Sequence, residues 1–62
     1  MIKIRGIKNL RIALLMTQKE LASALSVTQP FISFLEKGGN CIDRTKKLIF
    51  DLAESKNIEF KF

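Results

Sequence analysis

The chain has 62 residues, room for one domain spanning 1–62 and none for a second. Hydrophobic residues make up 47 % of it, which excludes a disordered chain. Eleven Lys and Arg against six Asp and Glu give a net charge of +5, which favours an anionic partner, whether nucleic acid or an acidic membrane surface.

Ile2-Lys3-Ile4-Arg5 alternates apolar and basic residues, and Gly6 ends the alternation, so residues 1–5 read as a short strand. From Ile7 to Met16 the apolar positions Ile7, Leu10, Leu14 and Leu15 suit the buried stripe of a first helix. Thr17 followed by Glu20 is the signature of a capping box, opening a second helix that runs to about Leu25. Thr28-Gln29-Pro30 opens a third, over Gln29 to Lys37. There Thr28 caps, and proline's missing N–H is harmless in the first turn. Gly38-Gly39 is the expected stop. Asn40 and Asp43 suggest another cap, before a fourth helix to about Ser55 with Ile42, Leu48, Ile49, Leu52 and Ala53 on its apolar face. Ile58-Glu59-Phe60-Lys61-Phe62 alternates again, giving a second strand over about 57–62.

A lone two-stranded pair is weak in water. A small chain also buries only about 60 % of its unfolded surface, and dimerisation is a common remedy. The terminal strands therefore suggest an intersubunit sheet in which Ile58, Phe60 and Phe62 pack against Ile2 and Ile4 of a homodimer. The alternative is that they pair within one chain and close its core.

Catalysis finds no material here. Histidine is absent, which removes the commonest acid–base group and metal ligand. The one cysteine, Cys41, has no base to activate it and reads as a small apolar filler near a helix start. No metal site, cofactor or small-molecule substrate is expected. No apolar run approaches the roughly 18 residues that span a bilayer. MIKIRG lacks an apolar signal core, so a cytoplasmic protein without a membrane partner is expected.

Taken together, Arg11, Thr17-Gln18-Lys19-Glu20-Leu21-Ala22, Val27-Thr28, Ile32-Ser33 and Glu36-Lys37-Gly38 reproduce a recurring pattern. The segment from Leu10 to about Ala53 resembles the Cro, cI-repressor and XRE-type helix–turn–helix family. The resemblance implies a mainly α, four-helix, lambda-repressor-like bundle that binds double-stranded DNA. It implies a structural ion pair between Arg11 and Glu36. It places Gln18 on a phosphate at the start of the second helix. The third helix would present Thr28, Gln29, Pro30, Phe31, Ser33 and Phe34 to the major groove, with Gln29 the best reader of adenine. Lys19, Lys37, Arg44, Lys46 and Lys47 would grip phosphates, although a solvated basic face is the plainer reading of such a charge run.

Three departures from the family pattern stand out. Ser26 replaces the glycine usual in the turn, so it must accept a left-handed or strained backbone at about 1 kcal/mol. Phe31 stands where small or polar residues are usual, and Phe34 where a polar base reader is usual. The two rings have three explanations: packing on thymine methyls, contact with a protein partner, or a rotated helix that makes at least one of them core.

The resemblance implies a homodimeric repressor on an inverted repeat. HipB-like antitoxins share the plan, with a C-terminal strand after the fourth helix, an autoregulated operon and a toxin protein as partner. The alternative is a protein-interaction module that kept the fold and lost DNA binding.

Overall fold

The computed structural model describes residues 2–62, so the part of the first strand expected at Met1 lies outside it. The order is β1 (Ile2–Arg5), α1 (Ile7–Ala13), α2 (Gln18–Leu25), α3 (Gln29–Glu36), α4 (Asp43–Ser55) and β2 (Ile58–Lys61). It is the mainly α, four-helix bundle with terminal strands that the pattern of elements suggested.

Each helix buries one stripe. Ile7 and Leu10 of α1, Leu21, Ala22 and Leu25 of α2, Ile32 and Leu35 of α3, and Ile49 and Ala53 of α4 form one core, completed by Ile58 and Phe60. Leu10, Leu21, Ile32 and Ile49 lie wholly inside it. Removing such a side chain typically costs about 2–5 kcal/mol.

The strands pair with each other, in parallel, with Ile2 opposite Ile58 and Ile4 opposite Phe60. The two strands thus pair within one chain, the alternative the sequence left open, and each keeps one unpaired edge. Ile58 and Phe60 are spent on the chain's own core, while Phe62 remains 43 % exposed. Within the chain α4 packs beneath β2, and Phe50 meets both Phe60 and Phe62 edge to face. Gly6 makes the tight step from β1 into α1 with a φ of 88°, a value that favours glycine.

Three expectations need correction. First, α1 stops at Ala13, short of Met16. The backbone reverses through Leu15, whose φ is 57° and whose side chain is 90 % exposed, so Leu15 is no part of the stripe. Second, no side chain caps α4: Ile42 occupies the cap position, and Asn40 and Asp43 make no capping bond. Third, Ile42 and Leu48 of the expected apolar face are 69 % and 44 % exposed, so the buried stripe of α4 is narrower than its sequence suggests.

Candidate nucleic-acid interface

The second and third helices are set by their own first turns. Thr17 Oγ1 accepts from the Glu20 N–H at 3.1 Å, and Glu20 Oε1 accepts from the Thr17 N–H at 2.8 Å, closing the capping box. Thr28 Oγ1 accepts from the Phe31 N–H at 3.3 Å, with Pro30 in the first turn of α3. Between the helices Ser26 adopts φ 57° and ψ 41°, the left-handed conformation that its place in the turn demanded. The Val27 N–H then donates to the Ala22 carbonyl at 2.9 Å, closing the turn. After α3 the Gly38 and Gly39 amides donate back to Leu35 and Phe34, ending the helix.

Arg11 and Glu36 join α1 to the end of α3. Arg11 Nε donates to Glu36 Oε2 at 2.6 Å, and Arg11 Nη1 donates to the Met16 carbonyl at 3.1 Å, which also fastens the loop before α2. Both side chains are largely withdrawn from water. Burial pushes the Glu36 carboxyl up. The hydrogen bonds from Arg11 and Gln18, with the charges of Arg11 and Lys8, outweigh that and hold it below the usual carboxylate value. Glu36 is therefore ionised at neutral pH.

Gln18 extends this network in a way the sequence did not disclose. Its Nε2 donates to Glu36 Oε1 at 3.1 Å, and its Oε1 accepts a long bond from Gln29 Nε2 at 3.5 Å. The pair joins the first turns of α2 and α3, and Gln29 itself is exposed. The spacing of these residues carried a signal for the pair only once both helices were placed against each other.

The rest of the α3 surface divides. Thr28 and Pro30 are exposed, Ser33 is half-buried, and Ile32 turns inward. Phe31 is half-buried against the core, whereas Phe34 is 52 % exposed. The rings stack with centroids 6.2 Å apart. Phe34 lies flat over Gly39, where a Cβ would fall 2.3 Å from Cε2, so only glycine lets the ring settle there. Phe31 thus belongs partly to the core, and Phe34 is the ring left largely in water.

Among the cations, Lys19, Lys37, Arg44 and Lys47 are exposed. Lys46 is half-buried and sets its ammonium 5.9 Å from the Phe62 ring; with Gln18, whose amide meets Glu36 and Gln29, it is one of two expected phosphate ligands with a partner inside the chain. Cys41 is half-buried, and burial, countered by Lys46 and reinforced by Asp43, pushes its thiol up, which keeps it protonated and unreactive. Among the described residues no group of carboxylates, cysteines or histidines could hold a metal ion, and no helix is long and apolar enough to cross a membrane.

Comparison with known proteins adds one finding. The model of a helix–turn–helix family matches residues 7–46, which takes in α1, α2, α3 and the start of α4. No curated protein and no solved structure matches the chain.

Proposed function

The chain belongs to the helix–turn–helix family of the Cro, cI-repressor and XRE type, and from that premise we propose that it is a homodimeric repressor reading an inverted-repeat operator with α3. Membership makes it a DNA-binding transcription regulator and gives no reason to expect catalysis. The observation that carries the finer reading is Gln29, exposed on the first turn of α3 with its amide nitrogen 3.5 Å from the Gln18 oxygen. An exposed glutamine amide in that place can bond adenine in a bidentate way. Thr28, Ser33 and Phe34 complete the reading surface, the last through thymine methyls, with Phe31 supporting it from behind. Lys19, Lys37, Arg44 and Lys47 are the phosphate ligands of this reading, and each neutralised phosphate steepens the dependence on salt.

The homodimer rests on the sheet's remaining edges. Each strand pairs on one side only. Two copies of β1 laid antiparallel would bring Lys3 and Arg5 together, like charge on like. Two copies of β2 centred on Phe60 would instead set Glu59 opposite Lys61 twice over, with Ile58 opposite Phe62. The β2 edge is the self-complementary one, and the exposed Phe50 and Phe62 beside it would gain cover. The antitoxin form of this reading adds a toxin bound to that dimer away from the DNA, in the cytoplasm.

Selection of bound sequences from random duplexes tests the reading. An enriched inverted repeat, with half-sites about 10 base pairs apart, supports it. Failure to enrich any sequence would leave a protein-interaction module, with Phe34 as its anchor. For the dimer, Lys61→Glu should weaken self-association in sedimentation, and adding Glu59→Lys should restore it.

A further inference from the structure

The two edges of the sheet are not alike. Ile2 and Gly6 donate their N–H groups to the Asn57 and Lys61 carbonyls, at 3.4 and 2.8 Å. Along a strand of a parallel pair, residues that bond across alternate with residues that bond away. The backbones of Ile2, Ile4 and Gly6 therefore face β2, and those of Lys3 and Arg5 face the open edge. There the Arg5 carbonyl accepts from Asn9 Nδ2 at 2.9 Å, which closes that end. The Lys3 N–H, the Lys3 carbonyl and the Arg5 N–H are left along the edge, a donor, an acceptor and a donor in a row.

The side chains around this edge define what can pair with it. Lys3, Arg5 and Lys61 share the outer face of the sheet with Glu59, three cations against one carboxylate, and all four are exposed. Glu59 lies 3.9 Å from Lys3, whose side chain is 83 % exposed, so that pair is weak and opens readily. On the other face Ile2 is 60 % exposed, beside the half-buried Ile4. A second copy of β1 is barred by its own like charges. A nucleic-acid phosphate only accepts hydrogen bonds, so it would meet the Lys3 carbonyl oxygen with oxygen and leave Ile2 in water. An extended peptide brings donors and acceptors in alternation and a side chain for each face. We propose that the β1 edge is a docking surface for an extended acidic segment of another protein. That segment adds to the sheet as a third strand, with carboxylates beside Lys3 and Arg5 and an apolar residue between them against Ile4. The surface is independent of the DNA reading. It is also compatible with the β2 dimer, because joining two β2 edges leaves a β1 edge at each end of the larger sheet.

The test uses the full chain, followed by amide NMR, and a short probe peptide in which glutamate alternates with valine. One control has the same composition with its glutamates in a single block, and another carries lysine in place of glutamate. The alternating acidic probe should bind and slow hydrogen exchange at the Lys3 and Arg5 amides, the two that face outward. In the double variant Lys3→Glu with Arg5→Glu its affinity should fall about tenfold, and the lysine peptide should bind in its place. That exchange of partners shows that the variant is folded, and the wild-type exchange pattern stands without any variant. Equal binding of the blocked peptide, with Lys3 and Arg5 exchanging as before, would reduce the surface to general charge attraction and overturn the proposal. Shifts confined to Lys19, Lys37, Arg44 and Lys47 would overturn it as well, since the probe would then be imitating DNA. So would slowed exchange at Lys3 and Arg5 on adding a DNA duplex alone, which would assign the edge to phosphates. Failure of the alternating acidic probe to bind at all would also overturn it.

Discussion

The α2–α3 unit and the terminal sheet show two different ways in which this chain specifies structure. Each of the two helices carries its instructions inside itself: a threonine cap, a first-turn partner, an apolar stripe and a stop. The sheet carries none. Its two strands stand at opposite ends of the chain, pair in parallel, and have no turn to fix their register. They meet where the four helices between them bring the two ends of the chain together. The lesson is that the helix–turn–helix unit is locally encoded and the sheet is a product of the tertiary structure. The sheet should be the more sensitive to losses elsewhere.

Several substitutions sharpen that contrast. The largest effect expected is in the sheet: Phe60→Ala removes a buried ring that packs on Phe50 and should cost about 3 kcal/mol or more in urea denaturation. Arg11→Met should cost about 2 kcal/mol by leaving the partly buried Glu36 without its cation, less than the loss at a fully buried pair. The same pair sets a pH dependence. The folded Glu36 titrates below its ordinary value, so its contribution is complete above the unfolded pKa and is lost as pH falls through the folded one. Wild-type stability should therefore drop on acidification below about pH 4.5, and Glu36→Gln should flatten that part of the curve. Next in size, Thr17→Ala should cost about 1 kcal/mol through the loss of the cap. It should do so without altering the sheet's register.

The smallest effect is a gain. Leu15 sits at positive φ with its side chain in water, so Leu15→Gly removes strain and loses no packing. Against the extra freedom glycine gives the unfolded chain, a net gain of about 0.5 kcal/mol in thermal denaturation is expected. No gain would mean that Leu15 makes a contact its exposure hides.

What could be read in the sequence follows the same division. The caps at Thr17 and Thr28, the left-handed Ser26 and the glycine stop were legible because each is a short-range rule acting on neighbours. The end of α1 was not. Leu14 and Leu15 continue a helical apolar pattern, and only the need to turn Thr17 into α2 breaks it. Ile42 and Leu48 look like core for the same reason: periodicity marks apolar positions, and it does not say how much of an α4 face has anything to pack against. Pairing of the strands within the chain depends on where the bundle leaves its ends, which no local pattern records. At the site, the family pattern pointed to Arg11 with Glu36, while the bond from Gln18 to that carboxylate emerged only from the helix packing.

The central claim is that α3 reads bases through Gln29. Fluorescence anisotropy on wild type and Gln29→Ala, with a selected operator and a random duplex at one salt concentration, tests it most directly. The account predicts a loss of about 1–3 kcal/mol on the operator and almost none on the random duplex. Equal losses on both duplexes, or none on either, would contradict it.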